Sequence, residues 1–576
     1  MLDLVIRGGT LVDGTGAPGR RADVGVRDGR IVAIGEITED AAETVDADGM
    51  VVCPGFVDPH THYDAQLFWD PRATPSNLHG VTSIVAGNCG FTLAPVHPQD
   101  VDYLARMMQK VEGMPLAALE QGVPWNWTTY AEYLDRLDGN LAVNAAFLVG
   151  HCAIRRHVMG EDATKGEATE EQLARMEALL HEAIEAGGLG FSTTLARSHS
   201  DGAGDPVASR WASTEEVLRL CEAVAQHEGT TLEFASDGSL DGFDEADIDL
   251  MTQMSLRGQR PLNWNVLTPN SAERDRFDNQ LRAMERVADA GAKVVGLTMP
   301  IIVGMNMSFL NYCALNMLPD WGDVLGLPVP ERIEKLKDPA VRAMLKERAA
   351  SPDAGVFSRL TGWDTYIIGD TFSEANDGLK WRRVNEIAAE RGDDDPFDTL
   401  LDVVIADGLR TVLWPSPTDS DDESWAMRAE SWEHPGIMIG GSDAGAHLDR
   451  MCGAPYTTKW LGDSIRGRKL TTMERAIQQL SDVPAQLFGL RDRGRLVEGY
   501  HADIVVFDPE TVDAGEVYLR ADLPGDEKRL YADAIGVHRV FVNGVATVVD
   551  GEAVEALPGI VLRSGRDTRT VTPAGT

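Results

Sequence analysis

Between about residue 51 and residue 441 the chain alternates short apolar runs with amphipathic stretches, and this alternation restricts the fold more than any other feature. The apolar runs read as strands at 51–57, 82–87, 145–149, 190–193, 231–234, 262–266, 293–298 and 437–441. The stretches 170–186 and 214–226 read as helices, each opening on a threonine and an acidic first turn that suit a helix cap. Strands that alternate with helices build a parallel sheet covered by helices. Eight such strands are what a (β/α)8 TIM barrel requires. The expectation is therefore an α/β chain with a barrel over 55–487. The last two strands are separated by an insertion at about 300–435, with helical stretches and Trp321, Trp363, Tyr366 and Trp381. A segment of that length serves as a lid at a barrel mouth or as an outer helical layer.

Both ends of the chain read differently. Residues 2–6, 22–26 and 31–34 form short strands broken by glycine-rich turns, as in a small antiparallel unit. Residues 499–508 and 537–548 alternate or run apolar in the same way. The expectation is a small β-sandwich domain assembled from both termini, 1–54 and 488–562. The polar residues from about 564 onward are expected to fray.

Charge narrows the partners. There are 52 Lys and Arg against 91 Asp and Glu, a net −39 at pH 7. Such a surface repels nucleic acid and anionic membranes. No run of about 18 apolar residues could span a bilayer. The start, MLDLVIRGGTLVDG, lacks the basic and apolar regions of a signal peptide. Six cysteines without paired spacing make no disulfide framework. A cytoplasmic protein acting on a small molecule fits these limits, and a homo-oligomer is compatible with them.

Three strings carry chemistry. In PGFVDPHTHYD, residues 54–64, an apolar strand ends in His60 and His62. Residues two apart in a strand point to the same side, so both imidazoles can hold one cation. In GVTSIVAGNCGFTLAP, residues 80–95, a strand ends at Cys89, whose thiol beside a cation would ionise and ligate. In IMIGGSDAGAH, residues 437–447, the last strand ends in Asp443. Barrel closure sets that strand beside the first, where a carboxylate can ligate, move a proton, or both. His447 and Arg450 follow in the same loop and are candidates for substrate contact.

These strings, with GHCAIR at 150–155, GLGFST at 188–193 and GRLVEGYHADIVVFDP at 494–509, resemble the amidohydrolase superfamily. Within it the chain is similar to the D-aminoacylase (N-acyl-D-amino-acid deacylase) group, over nearly its whole length and most weakly across 300–435. The resemblance implies zinc-dependent hydrolysis of an N-acyl amino acid. It implies His60 and His62 as strand-one ligands, Cys89 as the cysteine ligand and Asp443 as the strand-eight acid/base.

The chain also departs from that pattern. The group carries a histidine ligand after strand five and another after strand six, the latter in an S-H-H-K-like string. Here strand five reads TTLEFASDG and strand six PLNWNVLTP, and no histidine lies between His227 and His434. The lysine expected to bind the substrate carboxylate is missing as well. With His60, His62, Cys89 and Asp443 as metal ligands, one zinc ion is expected, with other divalent metals permitted. Glu233, Asn263 and Asn265 occupy the altered positions and are expected to shape specificity. His151, at the end of strand three, is a candidate oxyanion donor or a core histidine. Arg197 and His199, after strand four, either reach the mouth or lie in ordinary surface.

The function these residues point to is hydrolysis of an amide C–N bond by metal-activated water. Two alternatives stay open: the same site turned to a cyclic amide, lactone, C–C or lyase reaction, and a non-catalytic relic that binds a small molecule.

Overall fold

The computed structural model describes residues 1–311 and 313–573. It forms two compact units, Met1–Ile301 with Glu423–Thr576, and Ile302–Asp422.

The first unit is of mixed α/β architecture, built around a series of parallel strands. We label them β1 (Phe56–Asp58), β2 (Val81–Ala86), β3 in two pieces (Asn144–Phe147 and Val149–Gly150) and β4 (Gly190–Thr194). They continue as β5 (Thr231–Ala235), β6 (Leu262–Leu267), β7 (Val294–Thr298) and β8 (Ile437–Ile439). β1, β2 and the first piece of β3 pair in that order, and the second piece of β3 leads a six-stranded sheet through to β8. Thr61, just past β1, forms a parallel bridge with Ala444, just past β8. The His62 amide donates to the Ala444 carbonyl at 2.8 Å. These strands carry near-continuous Val, Ile, Leu and Phe and are buried along most of their length, as parallel strands covered on both faces must be.

The first strand is the one most altered from the sequence reading. Residues 51–57 do not run as one strand. Val51–Pro54 pairs with Ile504–Phe507 in a seven-stranded mixed sheet, and only Phe56–Asp58 joins the parallel series. The break is Gly55, where a β-carbon would overlap the Thr82 side chain. The chain thus passes from sheet to sheet through the one residue small enough for the crossing.

The amino-terminal strands also differ from a purely antiparallel unit. Leu2–Arg7 pairs antiparallel with Asp23–Arg27 but parallel with Ala41–Asp46. Strands from the two ends of the chain share the seven-stranded sheet, in which Val51–Pro54 lies between Thr10–Leu11 and Ile504–Phe507. The described residues after 564 are tied down rather than frayed, and 574–576 lie outside the described residues. Thr568 bridges Leu490, and its hydroxyl donates to the Gly229 carbonyl at 2.6 Å.

Four helices bear on the site: α1 (Val101–Val111), α2 (His151–Met159), α3 (Glu170–Glu185) and α4 (Thr214–Ala225). α3 is opened by a Thr169–Gln172 capping box, as its sequence implied. The cap of α4 is Ser213 rather than a threonine. No helix among the described residues is long and apolar enough to cross a membrane. The cysteines are all free and buried.

The second unit has its own core, in which Trp321, Tyr366, Phe397 and Leu400 are buried. Trp363 stacks on Trp321 with ring centroids 5.4 Å apart, whereas Trp381 is 60% exposed.

Candidate metal centre

The strand ends gather the donors. His60 and His62 leave β1 on the same side, with ring centroids 5.2 Å apart. His60, His62 and Cys89 are fully buried, and each places a ligand atom within 4.8 Å of the others. His60 Nε2 lies 3.6 Å from Cys89 Sγ and 3.3 Å from Asp443 Oδ1, while His62 Nε2 lies 3.9 Å from the same carboxylate oxygen. Donors about 2.0–2.3 Å from a tetrahedral cation stand roughly 3.3–3.8 Å from one another. The spacing therefore suits one small divalent ion.

The local backbone explains why these side chains converge. Cys89 has φ 55°, Asp443 φ 50° and His447 φ 49°, a left-handed region that non-glycine residues rarely adopt. Such strain gathers where a side chain must be aimed against the run of its strand. The Cys89 turn is held by its own amide, which donates to Glu233 Oε2 at 2.8 Å. The Asp443 turn is held by Ser442, whose hydroxyl donates to Asp58 Oδ2 at 2.6 Å and accepts from the Ala444 amide at 3.0 Å. Asn265 Nδ2 then donates to Asp443 Oδ1 at 3.1 Å and fixes the carboxylate.

The electrostatics show what this donor set lacks by itself. Burial, with help from His199, lowers the His60 pKa to about 3, so its imidazole is neutral and able to ligate. Burial likewise holds His62 well down. Burial raises Asp443 to about 7 against the Asn265 donor. Cys89 is pushed well up by burial and then by Glu233, Glu112 and Asp443. Neutral imidazoles packed among carboxyl groups and a thiol form a set that a divalent cation would stabilise.

One member of the cluster was not legible as a site residue. Glu112, at the end of α1, is buried with Oε1 3.5 Å from His62 Nδ1. Its carbonyl accepts from the His447 amide, and the neighbouring Gly113 lies against the Arg450 guanidinium. A β-carbon on Gly113 would press on that guanidinium, and its φ of 60° favours glycine as well. Its sole sequence signal is the Glu-Gly pair that ends an amphipathic helix. His62 thus turns Nε2 to the donors and Nδ1 to a carboxylate, an arrangement that orients metal-bound imidazoles. Glu112→Gln is expected to weaken zinc retention by about 10- to 100-fold. Competition with a chelating dye measures this, and unchanged affinity would refute the orienting role.

The remaining expectations divide. Glu233 meets the Cys89 amide and Asn265 meets Asp443, while Asn263 is the register partner of Glu233 and donates to the Leu232 carbonyl. His447 sits beside Glu112, and Arg450 also pulls on the Glu112 carboxyl, against its burial. His199 is half-buried with Nδ1 2.7 Å from Thr194 Oγ1. Arg197 does not join them. It is exposed and spent on Asp237 and Asp241.

His151 is also corrected. Nδ1 lies 2.8 Å from Thr193 Oγ1 and Nε2 lies 2.8 Å from Glu216 Oε1, so neither ring nitrogen is left for an oxyanion. Glu216, on α4, also accepts from Arg155 at 2.5 Å. Burial opposes ionisation of Glu216, but His151 and Arg155 prevail and hold its pKa at about 2. Glu216→Gln is expected to destabilise the protein by about 3 kcal/mol, because a buried arginine loses its partner. A depressed carboxylate pKa stabilises above the unfolded value, so the difference from wild type should hold above about pH 4.5 and shrink toward pH 2. Thermal midpoints across that range check this, and equal midpoints at pH 7 would refute it.

Comparison with known proteins bears on the same centre. The model of the Amidohydrolase family matches residues 43–554. The chain belongs to this family. It falls in the D-aminoacylase-like group, being 30% identical to the D-aminoacylase of Alcaligenes xylosoxydans xylosoxydans over 557 residues, 94% of this chain and 93% of that one. It is 28% identical to a solved D-aminoacylase described by one-metal activation and second-metal attenuation of a binuclear centre. That match has a TM-score of 0.64 and covers 98% of this chain and 100% of the other. The N-acyl-D-glutamate deacylase of Bordetella bronchiseptica, solved with zinc and a phosphonate mimic of the tetrahedral intermediate, is 26% identical. Its TM-score is 0.62, over 98% of this chain and 100% of that one. Among amidohydrolases of this group, divalent metal is the working cofactor.

Proposed function

We propose that the protein is a metal-dependent amidohydrolase that cleaves the amide C–N bond of an N-acyl amino acid or a related small amide. The observation that carries this reading is the convergence of His60, His62 and Cys89 on one buried point, with Asp443 Oδ1 3.3 Å from His60 Nε2 and 3.9 Å from His62 Nε2. The reading takes the strand series as a closed (β/α)8 barrel over 55–487, supported by the Thr61–Ala444 bridge. It takes 1–54 with 488–562 as a composite β-sandwich domain and about 300–435 as a lid-like insertion between β7 and β8. A cytoplasmic location suits the free buried cysteines.

His60, His62, Cys89 and Asp443 would hold one ion, with zinc the natural choice for a nitrogen and sulfur donor set. When bound, the cation supplies Lewis acidity, polarising a carbonyl and acidifying water. The chain does the rest. Asn265 holds Asp443 by Oδ1, which leaves Oδ2 to take a proton from the attacking water and pass it to the leaving nitrogen. His447 and Arg450, on the β8 loop, face the substrate's remaining groups.

The test is hydrolysis of a panel of N-acyl D- and L-amino acids and small amides by zinc-loaded protein in ¹⁸O water. The expected result is ¹⁸O in a newly formed carboxylate, with one tightly held zinc per chain. Products without ¹⁸O, or no product, would overturn the reading, and two tightly held ions would overturn the single-metal assignment.

A further inference from the structure

Another pair of histidines lies outside the centre. His181 is in the last turns of α3, and His227 follows the end of α4. Their ring nitrogens meet. His181 Nδ1 lies 2.7 Å from His227 Nε2, with ring centroids 5.0 Å apart, and both side chains are half-buried. α3 runs into β4 and α4 into β5, so the pair stands at the amino-terminal ends of the parallel strands. The catalytic centre stands at their carboxyl ends. The amino-terminal end of such a series serves stability rather than chemistry.

Both rings are carried on a fixed backbone. Glu177, one turn before His181, accepts from Arg219 of α4 at 3.3 Å, which holds the two helices in register. The His227 amide donates to the Val224 carbonyl at 3.1 Å. The His227 carbonyl accepts from Thr230 Oγ1 at 3.1 Å and from the Arg260 guanidinium. Burial, and then His181, lowers the His227 pKa against the charge of Glu185, so its ring is neutral.

Two neutral imidazoles in contact share one hydrogen, which can move to another ring nitrogen. That shift turns two lone pairs toward one point and releases no proton. Nitrogens about 2.0–2.1 Å from a tetrahedral cation stand roughly 3.3 Å apart. A small rotation of the rings supplies the difference. Glu185 is exposed and stands four residues after His181, on the same face of α3, from which its carboxylate can swing in as a third donor.

We propose that His181, His227 and Glu185 form a further, exchangeable site for a divalent cation of the zinc class, completed by water. The ion ties the end of α3 to the turn before β5. The carboxyl-terminal segment is anchored at the same place, by Ser564 Oγ on the Ile184 carbonyl at 3.2 Å and by the Gly229 amide on Thr570 Oγ1 at 2.9 Å. The ion therefore stabilises the fold and takes no part in the reaction. Its ligands are half open to water, so it is held more loosely than the ion of the centre and leaves on passage over a chelator.

The experiment titrates zinc by calorimetry into protein that already carries one zinc per chain. The expected result is one further ion of micromolar affinity, with a thermal midpoint that rises with zinc beyond the first equivalent. His181→Gln and His227→Gln are each expected to weaken this event at least about tenfold, the least that losing even an outer partner of a metal costs. Glu185→Gln, on an exposed side chain, weakens it too and leaves the fold intact. His538→Gln, at a histidine paired with Asp550, is the control and leaves it unchanged. No further ion, an ion whose affinity neither histidine substitution moves, or one weakened equally by His538→Gln overturns the site. An event unmoved by Glu185→Gln overturns the three-donor set. Should a histidine variant lose the first zinc as well, Glu185→Gln decides alone.

Discussion

His60→Ala is expected to release the metal and lower kcat/KM on the order of 10³-fold or more. His60 Nε2 is the hub of the centre, 3.3 Å from Asp443 Oδ1, 3.6 Å from Cys89 Sγ and 3.4 Å from Asn265 Nδ2. Alanine removes a donor that the backbone has already aimed. The remaining donors, His62, Cys89 and Asp443, would keep a distorted three-point site. The measurement is zinc per chain after passage over a chelator, followed by kcat/KM on the same sample. Wild-type zinc content with wild-type activity would refute the assignment of His60. Partial zinc with activity falling in proportion would show a ligand whose loss is survivable.

Asp443→Asn separates ligation from proton transfer. Asparagine keeps an oxygen for the cation and for the Asn265 donor, so metal should be retained at reduced affinity. It cannot carry a proton from water to the leaving nitrogen. The expected result is a kcat lower by about 10²- to 10⁴-fold at full metal occupancy, with KM little changed. The turn that presents Asp443 is built by Ser442 and Asp58 and does not depend on the carboxylate, so the fold should be unaffected. A kcat within tenfold of wild type at full occupancy would refute the acid/base role.

The sequence made these two residues visible because their chemistry coincides with strand periodicity. His60 and His62 are two apart at the end of an apolar run, and Asp443 ends another. Parallel strands whose ends point one way bring such residues together whatever the loops do. Glu112 was invisible for the opposite reason. It reaches His62 through loop packing, by the His447 amide and the Arg450–Gly113 contact, and no periodicity encodes that. His151 was misplaced because a strand-end position fixes depth and not direction. It starts α2, and its ring is drawn outward to Glu216 on α4. Arg197 was misjudged because its partners Asp237 and Asp241 lie 40 or more residues away in the chain. In the fold, the parallel alternation was readable from 81 onward. The passage at Gly55 was not, because an unbroken apolar run says nothing about which sheet each half joins.

That passage has a consequence for how the protein is made. Pro54 is paired with Ile504, and His60 lies a few residues beyond it. During synthesis the histidines leave the ribosome long before the strand that anchors their approach exists. Asp443 arrives late as well. The emerging chain therefore carries His60, His62 and Cys89 as loose ligands, open to whatever cation the compartment supplies. Only the finished protein, with its last strands in place, can enforce the geometry that discriminates among metals. The geometry that would tell one metal from another therefore exists only once folding is complete.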